Sequence, residues 1–138
     1  MGNKQQSKMK ILFVWPNKDG FGFKPIGLAL LSAIAKGKGC ETKLFDTTGI
    51  DFGYVTNTEA GESANLFKPI DFSGYNTAKV KVDLEVEFAK VFNEFNPDIV
   101  AFSVLSDEYL IASEITDIAR ALKKNVTIVW GGKYPTLK

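Results

Sequence analysis

The sequence predicts a three-layer α/β fold, in which a parallel β-sheet lies between two layers of helices. Apolar runs of strand length alternate along the 138 residues with segments of helical periodicity, in the order β-α-β-insertion-α-β-α-β. Such alternation implies parallel strands joined by right-handed crossovers. Three of the four strand segments are almost continuously apolar, which is typical of strands that are covered on both faces.

The first two strands are predicted over 10–15 and 42–46, after a polar tail at 1–9 that we expect to be disordered. Between these strands, Pro25 suits the first turn of a helix, and a glycine pair near its end supplies a stop. Residues four positions apart give this helix one apolar face, formed by Ile26, Leu30 and Ile34.

Residues 47–82 interrupt the alternation with a polar, glycine-dotted insertion. A connection of this length inside a compact domain is usually functional or disordered, so it covers a ligand, contacts another domain or lacks fixed structure. At its end, residues 80–86 alternate as in a strand, whereas 84–95 fit a helix. The helical pattern continues further, so we predict a helix over 83–95.

The second half of the chain contains the third strand, 98–105, and the fourth, 126–130. Ser106 or Asp107 can cap the helix between them, because short polar side chains accept hydrogen bonds from the first turn. That helix has one apolar face, formed by Ile111, Ile115, Ile118 and Leu122.

Composition excludes several classes of function. The net charge is +1, from 17 basic and 16 acidic residues, so we expect neither a nucleic-acid nor a membrane partner. The sequence has no histidine, which excludes Ser–His or Cys–His catalysis and histidine-ligated zinc within this chain. Its one cysteine, Cys40, permits no internal disulfide, and we expect a cytoplasmic protein.

Ligands of a parallel α/β sheet bind outside the carboxyl ends of the strands. Those ends contain no Walker phosphate loop, no phosphate loop rich in serine and threonine, and no acidic pair of the receiver type. Gly20 and Gly22 begin a dinucleotide fingerprint, but the next glycine lies too far along the chain. The segments to consider are 16–25, 46–50, 103–108 and 131–136.

Two short motifs at these ends resemble those of a known family. Ser103-Val104-Leu105 and Gly131-Gly132 resemble the Ser-x-Leu and paired-glycine motifs of cobalamin-binding domains. The segments KPIGLALLSAIAKGKG, NPDIVAFSVLSDEYLIASEITDIARALKK and VTIVWGGKYPT are similar to the N-terminal cobalamin-binding domain of radical S-adenosylmethionine enzymes. The resemblance covers most of 10–138. It implies a flavodoxin-like (Rossmann-like) sheet of order 2-1-3-4 that ends before a fifth strand.

The resemblance also implies a binding site for the nucleotide tail of cobalamin, in a slot at the sheet. A slot between strands needs missing side chains, and Gly131 and Gly132 lack them. The hydroxyl of Ser103 can pair with a polar atom of the tail, which would otherwise be buried at a cost. Leu105 would line the slot. The remaining candidate cofactor-binding residues are Ser106, Asn17 and Phe21.

Plainer interpretations of these residues stay open. Ser103 can be a small core residue bonded to its own backbone, and the two glycines can form an ordinary turn. Phe21 can belong to the core or to a partner contact. Trp15 and Trp130 are interpreted as strand packing.

The first loop departs from the methionine-synthase pattern Asp-x-His-x-x-Gly. Phe21 stands at the histidine position and Lys24 at the glycine position. By resemblance we therefore expect cobalamin to bind base-off, without a histidine ligand from the protein. The lower face of the cobalt would carry water, nothing, or an oxygen of Asn17 or Asp19, both of which can equally be turn formers.

The resemblance implies that this chain is a fragment with no catalytic residue or metal ligand of its own. It would present cobalamin to a downstream radical S-adenosylmethionine domain, which would carry a 4Fe-4S cluster and S-adenosylmethionine for methyl transfer. The alternatives are a non-enzymatic flavodoxin-like module for another nucleotide-tailed ligand or a protein partner, and a domain that has lost cobalamin binding. An open edge on the fourth strand would favour a dimer, a swapped segment or poor solubility.

Overall fold

The computed structural model describes residues 7–19, 24–68, 70–71, 74–75 and 79–137. The strands in these ranges are β1 (Lys10–Trp15), β2 (Glu41–Asp46), β3 (Ile50–Asp51), β4 (Val80–Lys81), β5 (Ile99–Ser103) and β6 (Thr127–Gly131). The helices are α1 (Ile26–Gly37), α2 (Asn57–Ser63), α3 (Leu84–Phe95), α4 (Tyr109–Leu122) and α5 (Lys133–Leu137).

A four-stranded parallel sheet with the order β2-β1-β5-β6 forms the centre of the protein. The predicted α/β class and the predicted order of the four main strands are therefore confirmed. The insertion adds a separate pair, in which β3 and β4 run parallel. The helix predicted over 83–95 is also confirmed as α3, and its N-terminus is capped by Asp83, whose carboxylate accepts from Val86 N at 3.0 Å.

One face of the sheet carries the main core, beneath α3 and α4. Phe88 of α3 is fully buried there, and its ring lies edge-on to Phe45 of β2 with centroids 5.1 Å apart. The centre of the sheet contributes alternate residues of β1 and β5, because side chains of a strand point to opposite faces in turn. These residues are Leu12, Val14, Val100, Phe102 and Val104.

The opposite face is covered by α1, and we refer to it as the α1 face. Leu28 of α1 packs there on Phe13 and Trp15 of β1. The apolar side of α1 formed by Ile26, Leu30 and Ile34 faces away from the sheet, and these side chains are 76%, 62% and 53% exposed. The helix is thus where the sequence predicts it, but its apolar stripe is not the buried side.

The reason lies in the small residues of α1. The hydroxyl of Ser32 lies 2.7 Å from the hydroxyl of Thr42 on β2, so the serine side of the helix is the one that contacts the sheet. Leu28 is four residues earlier and lies on the same side. Spacing alone shows which residues share a face of the helix. It does not show whether the side with Ser32 or the side with Leu30 contacts the sheet.

The β6 end of the α1 face is open. Val129 of β6 points to this face and is 48% exposed. In the described part of the chain, β6 pairs only with β5, so its outer edge has unpaired backbone groups. No described helix has the length and apolar character that a membrane span requires.

The open edge predicts self-association. We expect a concentration-dependent dimer in light scattering after size exclusion, because an unpaired strand edge is a template for pairing. Val129→Lys places a charge beside that edge and should shift the protein to monomer. Leu44→Lys, on β2 at the far edge of the same face, is the matched control and should leave the dimer intact. A monomer at all concentrations would contradict the prediction.

Candidate functional site

Three residues form a row across the α1 face, at the carboxyl ends of the three strands that run side by side. Ser103 of β5 is directly opposite Gly131 of β6. On the other side of β5, the register with β1 extends to the pair Val14–Phe102, so Trp15 is next in line beside Ser103. We call Trp15, Ser103 and Gly131 the carboxyl row. It lies where parallel α/β sheets bind ligands.

Space is available at Gly131 and a hydroxyl is available at Ser103. A Cβ atom at Gly131 would meet only Phe102 O, at an ordinary contact distance of 3.6 Å. Ser103 is half-buried, and its hydroxyl has no hydrogen bond with any other described residue. The bond to its own backbone that the interpretation of Ser103 as a core residue requires is therefore not present among the described residues.

Gly132 has a different role from Gly131. Its φ is +96°, and a Cβ atom there would lie 2.7 Å from Val104 N and 2.8 Å from Val104 O. Backbone hydrogen bonds hold the chain against Val104 at this point, from Val104 N to Gly131 O at 2.9 Å and from Tyr134 N to Val104 O at 3.0 Å. A glycine is needed at 132 for backbone contact and conformation, so of the two glycines it is Gly131 that leaves open space.

This difference predicts opposite outcomes for two alanine variants. Gly132→Ala should lower the free energy of unfolding by about 1–3 kcal/mol, through strain at positive φ and the clash with Val104. Gly131→Ala should change it by less than about 1 kcal/mol, because its Cβ has room. Urea denaturation measures both. Equal destabilisation of the two variants would contradict the assignment.

The segment after β5 begins with a 3-10 turn at Ser106–Glu108, and α4 follows directly. The predicted cap by Ser106 or Asp107 is wrong. The carboxylate of Glu108 instead accepts from Leu105 N at 3.0 Å, because the tighter turn brings the third residue back to the start. Leu105 packs beside Trp15 on the α1 face, while Ser106 is exposed.

Glu108 is a buried carboxyl that sequence reasoning missed. It is 3% exposed. Burial raises the pKa of Glu108 to about 7, the bond from Leu105 N acts against this, and the charges of Asp107 and Asp19 add to the rise. Only its place three residues after Leu105 signalled a capping role, and nothing in the sequence signalled its burial.

The raised pKa predicts that stability falls as the pH rises. Between pH 4.5 and 7 the folded protein holds a proton on Glu108 that the unfolded chain has lost, so deprotonation favours unfolding. The stabilisation is complete below the unfolded pKa of 4.5 and is lost through about pH 7, by at most about 3 kcal/mol. Glu108→Gln keeps the acceptor for Leu105 N and should flatten the dependence in urea denaturation from pH 4.5 to 8. An unchanged slope in this variant would assign the effect to other groups.

The first part of the insertion folds over the carboxyl edge of the sheet. The side-chain amide of Asn57 donates to Asp19 at 2.7 Å and to Asp107 at 2.6 Å, and so joins the loops that follow β1 and β5. Lys18 Nζ donates to Val55 O at 3.1 Å. Over 47–68 the insertion therefore contacts the loops at this edge, and of the alternatives left open for it these contacts favour a covering role over a lack of fixed structure.

A second contact ties the insertion to α4. The hydroxyl of Tyr54 donates to the carboxylate of Glu114. Partial burial, the bond to the Glu114 carboxylate and the charge of that carboxylate together raise the pKa of Tyr54 to about 12. The phenol stays protonated throughout the neutral range and can keep donating.

Asn17 acts as a turn former. Its side-chain oxygen accepts from Asp19 N at 3.0 Å and its amide donates to Thr48 at 2.9 Å. Asp19 in turn accepts from Asn57 N at 2.6 Å. The oxygens considered for the lower face of cobalt are thus engaged within the protein. Phe21 and residues 1–6 of the predicted tail lie outside the described residues.

The two tryptophans differ in their hydrogen bonding. The indole N–H of Trp130, on the α3–α4 face, donates to the Thr116 hydroxyl at 3.0 Å. Trp15 is 6% exposed, and its indole nitrogen has no hydrogen-bond partner among the described residues. Strand packing accounts for Trp130 and leaves the polar atom of Trp15 unexplained. Sequence reasoning missed this, because burial of one atom has no signal in a strand pattern.

Two further features concern the surroundings of the carboxyl row, namely a groove and the metal-binding capacity of nearby side chains. A groove of about 340 Å³ runs between α1 and β2, but no residue of the carboxyl row lines it. In the described ranges, the cysteine, aspartate and glutamate side chains form no group of three that could hold a metal ion. Comparisons with protein-family models, curated protein sequences and solved structures found no match to this chain.

Proposed function

We propose that this protein binds cobalamin and holds the nucleotide tail of the cofactor on the α1 face, along the carboxyl row. The observation that carries the proposal is the direct pairing of Ser103 with Gly131 on neighbouring strands. The glycine leaves the space that a flat base needs, and the serine supplies a hydroxyl beside it. The parallel sheet of order β2-β1-β5-β6 supports the flavodoxin-like fold that such a domain requires.

Within this proposal, the two glycines differ in the room that they leave for the tail. The space beside Gly132 is filled by the backbone of Val104, so the tail lies over Gly131 and against Leu105 rather than along both glycines. The tail then meets the open end of the α1 face. The polar groups at this open end are the side chains of Ser103 and the exposed Ser106.

The corrin ring would lie outside the carboxyl edge, beside the part of the insertion that covers it. The chain has no histidine, so no imidazole of this protein ligates the cobalt, and a tail held by Ser103 leaves the cofactor base-off. When bound, cobalamin supplies a methyl group for transfer. The residues of this chain bind and orient the cofactor, and they perform no reaction alone.

The partner in this proposal is a downstream radical S-adenosylmethionine domain of a longer chain, with its own 4Fe-4S cluster. The exposed apolar side of α1 supports docking of a protein partner. Ile26, Leu30 and Leu31 are each more than half exposed there. The same observation favours the second candidate function, a flavodoxin-like module that binds only a protein partner or another nucleotide-tailed ligand.

The test is retention of the cofactor. We expect the protein to keep a corrin spectrum after mixing with hydroxocobalamin and desalting. Gly131→Leu should lower the affinity at least tenfold, because the side chain fills the space over the strand. Gly27→Leu is the matched control, since a Cβ atom at Gly27 on α1 meets nothing within 4 Å.

Circular dichroism establishes that both leucine variants fold. No retention by the unaltered protein would reject cobalamin in favour of the second candidate function. Equal retention by the Gly131→Leu and Gly27→Leu variants would move the tail away from the carboxyl row.

A further inference from the structure

The indole N–H of Trp15 is a buried donor without an acceptor in the described structure. More than nine-tenths of this side chain is inaccessible to solvent. Leaving such a donor unpaired costs free energy, and buried polar groups in folded proteins almost always have a partner. An indole nitrogen can only donate, so the partner that is missing here is a hydrogen-bond acceptor.

We propose that Trp15 is a further ligand-binding residue, whose indole N–H donates to an acceptor atom of the nucleotide tail. The inference rests on the proposed function and adds a second donor to it. A base-off tail has a ring nitrogen that no longer ligates cobalt, together with ribose and phosphate oxygens. Each of these atoms accepts hydrogen bonds and needs a donor when it is buried.

The placement of Trp15 supports this role. It continues the carboxyl row on the β1 side of Ser103, so a flat group lying over Gly131 and Ser103 extends toward it. Leu105 and Leu28 pack in the same cluster as Trp15 and supply apolar walls. A ligand that is flat, largely apolar and bears an acceptor at its rim matches these surroundings.

Trp130 provides a matched comparison within the same protein. It is the other tryptophan of the chain, and it lies on the opposite face of the sheet. Its indole N–H already has the Thr116 hydroxyl as acceptor, at 3.0 Å. A change at Trp130 therefore alters a half-buried, hydrogen-bonded indole without altering the carboxyl row.

The experiment compares two corrins in titrations of the full chain. Hydroxocobalamin has the nucleotide tail, and cobinamide is the corrin without it. Trp15→Phe should weaken hydroxocobalamin binding about fivefold, the loss expected for one neutral hydrogen bond, and leave cobinamide binding unchanged. Trp130→Phe should leave both affinities unchanged.

A second measurement needs no substitution in the protein that binds. With ¹⁵N-labelled tryptophan the chain gives two indole N–H signals in NMR, which the two phenylalanine variants assign. The Trp15 signal should move downfield on saturation with hydroxocobalamin and stay in place with cobinamide. The Trp130 signal should stay in place with both.

The outcomes separate this inference from the proposed function. The inference alone is overturned if the unaltered protein and Trp15→Phe retain hydroxocobalamin with equal affinity and the Trp15 signal does not move. Equal weakening of both corrins by Trp15→Phe also overturns it, since the tail is then not the acceptor. Failure of the unaltered protein to bind hydroxocobalamin overturns both proposals.

Discussion

The pairing of β5 with a parallel strand on each side is the constraint on which the rest of the structure depends. It places Phe102 on the α3–α4 face and Ser103 on the α1 face, because neighbouring residues of a strand point to opposite sides. Phe102 and Val104 are almost fully buried. A register shift of one residue would turn both toward the α1 face and the Ser103 hydroxyl into the core, at the cost of several kcal/mol. The position of the candidate site is thus a consequence of how the core is filled.

The two faces of the sheet are covered to different degrees, and the main core and the carboxyl row lie on opposite faces. The aromatic cluster around Phe88 closes one face. In the described part of the chain the other face is covered by α1, whose contact with the sheet includes the hydroxyl pair of Ser32 and Thr42. At the carboxyl edge the cover comes from the insertion, which Asn57 joins to Asp19 and Asp107 by hydrogen bonds. Such polar contacts are worth little each in water, so this cover is held less tightly than the apolar core.

Sequence reasoning predicted the parts of the fold that periodicity determines. The alternation of apolar runs was sufficient for the α/β class and the parallel sheet, and the longer helical match over 84–95 correctly outweighed the strand pattern. The order of the four main strands came from the resemblance to cobalamin-binding domains and not from periodicity. The apolar face predicted for α1 is exposed, because a spacing of four residues does not tell which face the sheet contacts. Sequence reasoning was wrong about the cap before α4, where Glu108, rather than Ser106 or Asp107, accepts the hydrogen bond at the start of a tight turn. The separate roles of Gly131 and Gly132 depend on the backbone of Val104, which is distant in sequence and carries no local signal.

Hydrogen-bond pairing distinguishes the carboxyl row from the rest of the interior. Buried polar side chains elsewhere have partners within the protein: Thr47 donates to the backbone of β1, and Thr116 bonds to its own helix and to Trp130. In the described structure the buried indole of Trp15 lacks such a partner, and Ser103 beside it has a hydroxyl that is likewise unpaired. The buried indole N–H of Trp15 is a net cost to a sheet whose only task is to fold, whereas the half-buried Ser103 hydroxyl can bond to water. The cost at Trp15 would be removed by the acceptor that the proposed nucleotide tail brings.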